Sequence, residues 1–317
     1  MTGTLLEPAQ QKLQERCNLR IWDPTEPKAK ETLSEWLVDA EGLVVLGNLQ
    51  VNDALLQQAP QLRVIAQPSV GYDNIDIDAC TNRKIPHGNT PGVLVNTTTE
   101  LAFALMICAA RRIHEGWDFV KAGGWQRRET FPFGLDLYGK TLGIVGMGQI
   151  GTAVAERAKA FGMRIIYNNR RPRPDDAERG FRYVPFDTLL AESDFVIVLT
   201  PLTAESHHLF GAKEFAAMKP SALFINVSRG PVVDTMALYE ALKQGQIAYA
   251  ALDVTDPEPI PADHPLLAAS NILITPHIGS ATLRTRTAMA ILTADNLLAG
   301  LERKPLPACA NPSVNYR

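Results

Sequence analysis

A glycine-rich loop stands between a strand-like and a helix-like segment near the middle of the chain. The run TLGIV, from Thr141, is apolar throughout, and TAVAERAKAFGM has apolar residues at helical spacing. Between them Gly146, Gly148 and Gly151 form the pattern GxGxxG. The first glycine permits a tight turn, the second lets the backbone approach a pyrophosphate, and the third allows the helix to pack closely on the strand. The placement favours a dinucleotide site over glycines that serve only a turn.

Short apolar runs alternate with helical stretches along the rest of the chain. This alternation predicts parallel sheets built from βαβ units, with a large sheet after residue 140 and a smaller one before residue 90. The predicted strands are LRIW (from Leu19), LVVL (from Leu43), RVIA (from Arg63), TLGIV (from Thr141), RIIY (from Arg164), FVIVL (from Phe195), ALFIN (from Ala222), AYAALD (from Ala248) and NILIT (from Asn271). We expect an α/β fold: a Rossmann-type doubly wound parallel sheet domain plus a smaller, discontinuous flavodoxin-like α/β substrate domain.

Two crossings between the domains are expected. A chain of 317 residues with 46% hydrophobic content is long enough for two cores. Thr97 and Glu100 form a capping-box pattern at the head of a helix that would leave the first domain, and the helical pattern from Thr282 could cross back. The predicted substrate-binding domain is therefore 1–97 with 286–317, and the dinucleotide-binding domain is 98–285.

The composition excludes several kinds of partner. The formal net charge is −3, with Lys and Arg scattered, which argues against nucleic acid and an anionic membrane surface. Four cysteines without a CxxC pair favour neither a disulfide framework nor a metal site. The most apolar run, LAFALMICAA, has ten residues and is too short to span a membrane, and the start MTGTLLEPAQ lacks a targeting pattern. We expect a cytoplasmic protein with small-molecule partners.

The loop after RIIY indicates the cofactor. An NAD-binding chain would carry an acid for the ribose 2′-hydroxyl immediately after Tyr167, but Asn168 stands there. Arg170, Arg171 and Arg173 follow, and guanidinium groups can pair with a 2′-phosphate. The alternative is a solvated basic loop. We expect NADPH (NADP⁺), with NADH possible but weaker.

Three residues after predicted strands have the chemistry to reduce a 2-oxo acid. Arg229 follows ALFIN and offers a cation to hold a carboxylate and polarise a ketone, although a structural ion pair is the alternative. His277 follows NILIT, and Glu258 follows AYAALD. A glutamate bonded to the imidazole would stabilise its protonated form and fix its tautomer, so the ring can supply the proton that reduction consumes. Carboxyl ends of strands are where open α/β sheets bind ligands.

These motifs together resemble one family. SVGYDNID (from Ser69), GIVGMGQIG, PLT (from Pro201), INVSRGPVVD, LDVTDPEP and PHIGSAT occur in the order found in the D-isomer-specific 2-hydroxyacid dehydrogenases, and the match runs from about residue 43 to the end. Within that family the chain most resembles glyoxylate/hydroxypyruvate reductases and bacterial 2-ketogluconate reductases. The resemblance implies NADPH-dependent reduction of glyoxylate, hydroxypyruvate or 2-ketogluconate to the D-2-hydroxy acid.

The resemblance also implies roles for individual residues. Arg229, Glu258 and His277 would be catalytic, with His277 as proton donor. The substrate residues would be Val70 and Gly71 (through backbone N–H groups), Arg229, Ser280 and Trp125. The cofactor residues would be Gly146, Gly148, Gln149, Ile150, Gly151, Asn169, Arg170, Arg171, Pro201, Val227, Asp253, His277 and Gly279.

Family members are usually homodimers in which the segment AGGWQRRETFPFGLDL, here from Ala122, reaches toward the partner. Trp125 would then help close the neighbouring active site, or else be buried in its own interface. Two departures stand out: Arg127 and Arg128 replace a more apolar stretch, and Thr255 replaces the usual Phe.

Alternatives remain within and outside the enzymes. Phosphoglycerate and phosphite dehydrogenases share the motifs, and the same fold and triad occur in a non-enzymatic corepressor that senses NAD(P). Substrate size is a further open point, because Gly47 and Asn48 follow LVVL where a bulkier apolar residue is expected in a reductase of small acids. A smaller wall would admit a polyhydroxy chain, whereas the alternative is that Gly47 serves only the turn.

Overall fold

The computed structural model describes residues 1–314, so the last three residues of the predicted substrate-binding domain lie outside it. In chain order the first elements are α1 (Ala9–Gln14), α2 (Ala29–Leu37), β1 (Gly42–Val44), α3 (Asp53–Gln57), β2 (Val64–Ala66), α4 (Ile77–Asn82), β3 (His87–Gly88), α5 (Val95–Arg111), α6 (Ile113–Lys121), β4 (Thr141–Val145), α7 (Gln149–Ala160) and β5 (Arg164–Asn168). They are followed by α8 (Asp176–Arg179), β6 (Arg182–Tyr183), α9 (Phe186–Glu192), β7 (Phe195–Val198), α10 (Ala212–Ala217), β8 (Leu223–Asn226), a 3-10 turn (Gly230–Val232), α11 (Thr235–Lys243), β9 (Tyr249–Leu252), a 3-10 turn (Pro265–Ala268), β10 (Ile272–Ile274) and α12 (Leu283–Leu301).

The chain divides into two compact units, one comprising 1–94 and 281–317 and the other 95–280. We call them unit 1 and unit 2. The predicted functional domains, 1–97 with 286–317 and 98–285, remain a prediction. Among residues 1–314, no helix has both the length and the apolar character that crossing a membrane requires.

Unit 1 is built on a parallel sheet with the strand order β1-β2-β3. Ile65 of β2 pairs with Leu43 on one side and with His87 on the other. Apolar clusters cover both faces, and one of them includes Ala290, Ala294 and other residues of α12. This helix packs closely because Gly300 has no side chain: a Cβ there would lie 2.4 Å from Cγ2 of Val64.

Unit 2 contains a parallel sheet with the strand order β10-β9-β8-β7-β4-β5-β6. From β4 the chain runs outward through β5 and β6, and then returns to β7 on the other side of β4. This reversal creates a topological switch point between β4 and β7, where ligands bind at the carboxyl edge of such sheets. Two buried clusters, which include Ile144 and Val145 respectively, cover the two faces of the sheet. The predicted α/β class with parallel sheets is confirmed.

Two local predictions were wrong. Leu19–Trp22 is not a strand: its main-chain bonds run between Met1 and both Arg20 and Trp22, and Thr2 instead donates to Val44 of β1 at 3.0 Å. The capping box is also wrong, because α5 begins at Val95 and Thr97 is therefore its third residue. In the first case the main-chain bonds go to Met1 and not to a neighbouring strand, and in the second the helix begins two residues before Thr97.

Candidate active site

The glycine loop lies at the switch point of unit 2. Gly146 has a φ of 104°, and a Cβ there would lie 2.6 Å from the backbone nitrogen of Thr200. At Gly151 a Cβ would lie 2.4 Å from the carbonyl oxygen of Gly146, so any side chain would push α7 away from the loop. A Cβ at Gly148, in contrast, meets nothing within 4 Å. Gly146 and Gly151 thus permit close packing, whereas Gly148 leaves open space in front of the loop.

Helix α7 presents its amino terminus to this space. Gly148 is the N-cap residue and has no side chain to accept the first N–H groups of the helix. Gln149 and Ile150 form the start of the first turn, where backbone N–H groups lack intrahelical acceptors. Unpaired N–H groups and the helix dipole favour a bound anion. The loop therefore fits the pyrophosphate of a dinucleotide.

The loop after β5 is tied to the glycine loop through Met147. The N–H of Met147 donates to Oδ1 of Asn169 at 2.7 Å, and its carbonyl oxygen accepts from Nη1 of Arg173 at 3.2 Å. The side chain of Asn168 donates to the carbonyl oxygen of Val184 at 2.9 Å. These bonds hold the residues between Asn169 and Arg173 at the carboxyl edge of β5.

The arginines of this loop differ in their surroundings. Arg173 pairs with both carboxylate oxygens of Asp175, at 2.9 and 3.0 Å. Hydrogen bonds from Arg173 and Arg179 hold the pKa of Asp175 far below its usual range. The charge of Arg173 is thereby balanced within the loop, whereas Arg170 and Arg171 are exposed. The two exposed arginines are consequently the better candidates for binding an external anion.

Arg229 follows β8, and the backbone around it is fixed by neighbouring residues. Asn226 is buried, and its side-chain amide donates to the carbonyl oxygen of Arg229 at 3.0 Å. At Gly230 a Cβ would lie 1.8 Å from the carbonyl oxygen of Thr255. The absent side chain therefore allows the segment after β8 to approach the segment that leads to Glu258. This role of Gly230 was not predicted, although its position next to Arg229 in SRGPVVD is visible in the sequence.

His277 and Glu258 form a hydrogen-bonded pair. Nδ1 of His277 lies 2.6 Å from Oε1 of Glu258, and both side chains are partly exposed. Burial would raise the pKa of Glu258, but the hydrogen bond and charge of His277, the N–H of Thr255 and the charge of Arg229 outweigh burial and lower this pKa. Glu258 is consequently an anion at neutral pH, and its contact with Nδ1 leaves Nε2 of the imidazole as the outer nitrogen.

The buried carboxylate of Asp253 orders the backbone that carries His277. Oδ1 of Asp253 accepts from the N–H of Ile278 at 2.8 Å and from the hydroxyl of Thr275 at 2.7 Å. Oδ2 accepts from the N–H of Gly279 at 2.7 Å. His277 itself has a φ of 52°, a left-handed conformation that is uncommon for residues other than glycine. These bonds stabilise that conformation and so determine where the imidazole lies.

The chain is similar to known proteins of one family over nearly its whole length. A family model described as "D-isomer specific 2-hydroxyacid dehydrogenase, NAD binding domain" matches residues 103–279. A glyoxylate reductase of Korarchaeum cryptofilum is 45% identical over 99% of this chain and 96% of its own length. Glyoxylate/hydroxypyruvate reductase B of Escherichia coli K12 is 48% identical over 96% of this chain and 94% of its own length.

The chain belongs to the D-isomer specific 2-hydroxyacid dehydrogenase family. It is thus an NAD(P)-dependent oxidoreductase that acts on 2-oxo acids. The crystal structure of an NADPH-dependent glyoxylate/hydroxypyruvate reductase from Sinorhizobium meliloti, in complex with NADP and malonate, is similar with a TM-score of 0.88. That protein is 32% identical, and the match covers 99% of this chain and 97% of the other.

In this dehydrogenase Thr255 supports Glu258. Its buried hydroxyl donates to the carbonyl oxygen of Pro257 at 2.9 Å, and its N–H lies 3.3 Å from Oε2 of Glu258. The hydroxyl of Thr235 donates to the carbonyl oxygen of Asp256 at 2.7 Å. The hydroxyls of Thr235 and Thr255 therefore hold the loop that carries Glu258. Only the folded chain shows these two contacts.

The remaining predicted residues lie in several places. Within unit 2, Val227 and Ser280 are buried, Pro201 is exposed after β7, and Gly279 donates to Asp253. Trp125 is an exposed residue of the turn after α6. Arg127 donates to the carbonyl oxygen of Ala122 at 2.8 Å and pairs with Glu129, so this arginine helps to hold the turn. Val70 and Gly71 belong to unit 1, in the loop after β2.

Proposed function

We propose that this dehydrogenase reduces glyoxylate or hydroxypyruvate to the D-2-hydroxy acid with NADPH, and that His277 donates the proton. The observation that carries the proposal is the 2.6 Å contact between Nδ1 of His277 and Oε1 of Glu258. Because the carboxylate accepts the proton on Nδ1, the tautomer is set and Nε2 is left to give a proton to the developing alkoxide. The names of the relatives support the choice of substrates.

Arg229 is proposed to bind the substrate carboxylate and to polarise the neighbouring ketone. A guanidinium stays charged at any working pH and offers several donors in one plane. As negative charge develops on the ketone oxygen, a fixed cation stabilises the transition state more than the ground state. Asn226 and Gly230, which hold the backbone of Arg229, are then needed for its orientation.

The dinucleotide is proposed to bind along the carboxyl edge of the sheet in unit 2. When bound, the reduced nicotinamide supplies the hydride. The residues proposed to hold the dinucleotide are Gly146, Gly148, Gln149, Ile150, Gly151, Asn169, Arg170, Arg171, Pro201, Val227, Asp253, His277 and Gly279. Asn168 in place of an acid, and the exposure of Arg170 and Arg171, support a preference for NADPH over NADH.

Substrate binding is proposed to use Val70 and Gly71 through their backbone N–H groups, with Ser280 at the nicotinamide end. We also propose 2-ketogluconate as a substrate, because Gly47 and Asn48 offer little bulk. Gly47 has a φ of 73°, which supports a role in the turn, and a Cβ there meets nothing within 4 Å. Any size selection therefore depends more on Asn48 than on Gly47.

A homodimer is proposed, with α6 and the segment that follows it facing a second copy. Helix α6 contains no buried residue, and Ile113, Trp117 and Val120 form an exposed apolar stripe along it. Trp125 is 74% exposed and Phe133 98% exposed. An exposed apolar surface of this kind is typical of a protein interface. Trp125 would then lie beside the partner's active site. A cytoplasmic location is part of the same proposal.

The direct test is a panel of 2-oxo acids followed by NADPH and NADH absorbance. Glyoxylate and hydroxypyruvate should be reduced faster with NADPH, and His277→Ala should lose roughly 10²- to 10⁴-fold in kcat, which is the usual contribution of a general acid. The variant should still bind NADPH in a fluorescence titration. His207→Ala, a histidine at an exposed position, is the matched control. Retention of kcat in His277→Ala would refute the assignment of the proton donor.

A further inference from the structure

Three consecutive carbonyl groups in the loop after β2 accept hydrogen bonds from other groups of the same unit, unit 1. The carbonyl oxygen of Ser69 accepts from the N–H of Thr90 at 2.9 Å. That of Val70 accepts from Nδ2 of Asn89 at 3.0 Å. That of Gly71 accepts from Nε2 of Gln67 at 2.6 Å and from the hydroxyl of Ser69 at 2.8 Å. The orientation of three successive peptide groups is thereby determined.

The orientation of each carbonyl determines that of the N–H in the same peptide group. A trans peptide is planar, and its C=O and N–H bonds point in opposite directions. The peptides from Ser69 to Tyr72 are trans. The N–H groups of Val70, Gly71 and Tyr72 therefore each point away from the donor that the carbonyl of the same peptide contacts. Successive N–H groups turned to one side form an anion-binding concavity.

The two amides that hold this loop are themselves held in place. Gln67 is 3% exposed and Asn89 is 7% exposed, so neither has water as a ready alternative partner. The carbonyl oxygen of Asn89 accepts from Nδ2 of Asn296, in α12, at 3.0 Å. A Cβ at Gly88 would lie 2.5 Å from Cβ of Asn296, so the glycine is what allows this close contact. The link from α12 through Asn89 to Val70 is therefore continuous.

We propose that Gln67 and Asn89 are positioning residues that turn the N–H groups of Val70, Gly71 and Tyr72 toward the substrate carboxylate. The inference rests on the proposed function and deepens it, since it adds Tyr72 as a third backbone donor and names the side chains that orient all three. Without the Asn89 amide the peptide after Val70 loses the donor that holds its carbonyl, and without the Gln67 amide the peptide after Gly71 keeps only the Ser69 hydroxyl. A peptide held less firmly can rotate and present its carbonyl oxygen to the anion, which would repel it.

The test compares Gln67→Met and Asn89→Leu with the wild type. Both variants keep the approximate side-chain volume and remove the amide donor. Oε1 of Gln67 accepts no hydrogen bond from the residues described, so Gln67→Met removes chiefly the contact with Gly71. Gln57→Met is the matched control, because Gln57 is an exposed amide of unit 1 that bonds to Asp53. KM for glyoxylate should rise about tenfold in each variant, with kcat and the KM for NADPH little changed.

The binding of oxalate, measured by calorimetry, separates this inference from the proposed function. If the wild type reduces no 2-oxo acid, the proposed function fails, but weaker oxalate binding by Gln67→Met still supports the positioning role. Unchanged KM and oxalate affinity in a folded Gln67→Met protein would overturn it, as would a fall in kcat at constant KM. If Asn89→Leu does not fold, Ser69→Ala should raise KM and Ser69→Thr, which keeps the hydroxyl, should restore it.

Discussion

Gly230 and Thr255 touch through their backbones: a Cβ at position 230 would lie 1.8 Å from the carbonyl oxygen of Thr255. The contact joins the residue after Arg229 to the loop that carries Glu258. Two groups with separate chemical roles are thus placed by one close backbone approach, which only glycine permits. The position of Arg229 relative to Glu258 therefore depends on a residue with no side chain of its own.

Gly230→Ala should reduce kcat/KM for glyoxylate by roughly 100-fold, since a shift of about 1 Å in a catalytic group has an effect of that order. The added methyl must move either the backbone of Arg229 or that of Thr255. Steady-state kinetics measure the loss. Gly211→Ala is the control, because its Cβ would meet only the end of the Glu214 side chain at 3.4 Å. Equal activity of the two variants would contradict the role assigned to Gly230.

The double variant Arg170→Ala, Arg171→Ala should lose roughly one to two orders of magnitude in kcat/KM for NADPH per lost contact. Its kcat/KM for NADH should be nearly unchanged. The contacts exist only when a 2′-phosphate is present. The ratio of the two values in wild type and variant is the measurement. Arg164→Ala, an exposed arginine at the start of β5, should leave the ratio unaltered. A wild type equally efficient with both cofactors would remove the basis for the NADPH preference.

Glu258→Gln should move the high-pH limb of the kcat/KM profile for reduction to lower pH. Burial raises the pKa of Glu258, but interactions that include the hydrogen bond and the charge of His277 lower this pKa by more. Glutamine keeps an acceptor for Nδ1 of His277 but removes the negative charge 2.6 Å from it, and a nearby carboxylate favours the charged form of a basic partner whereas a neutral amide does not. Rates measured across pH with saturating NADPH check the direction. A limb that stays in place would make Glu258 structural only.

Asn48→Ala should lower kcat/KM for 2-ketogluconate by about tenfold and affect glyoxylate much less, because only the polyhydroxy chain has hydroxyls for the amide to bind. The change avoids Gly47, whose φ of 73° would make any larger residue strained. Glyoxylate serves as the internal control. Parallel losses on the two acids would show that this loop does not select substrate size.

Trp117→Glu should convert a dimer to a monomer, since it places a charge on the exposed apolar stripe of α6, where Trp117 is 63% exposed. Sedimentation velocity at several protein concentrations measures the change. Leu267→Glu makes the same kind of change at another exposed apolar position in unit 2 and should leave the assembly intact. A wild type that sediments as a monomer would refute the proposed homodimer.

The sequence by itself predicted the parts of the molecule that depend on local patterns. The glycine loop, the six predicted strands from TLGIV onward and the α/β class follow from period and residue type within single segments, whereas the two-residue strand β6 was not predicted. The placement of Arg229, Glu258 and His277 after strands follows from the same patterns. A parallel sheet brings the carboxyl ends of its strands to one edge, so these residues were expected to lie near each other.

Only the tertiary structure decided which groups make contact. Leu19–Trp22 has the composition of a strand, but Thr2 is the residue that bonds to β1. Arg170, Arg171 and Arg173 look alike in sequence, yet Asp175 pairs with Arg173 and the other two are exposed. The sequence led us to expect a glutamate beside His277, whereas the close contact of Gly230 with Thr255, from a different loop, appears only in the folded chain. Such contacts arise from the packing of segments far apart in the chain, and no pattern within one segment contains that information.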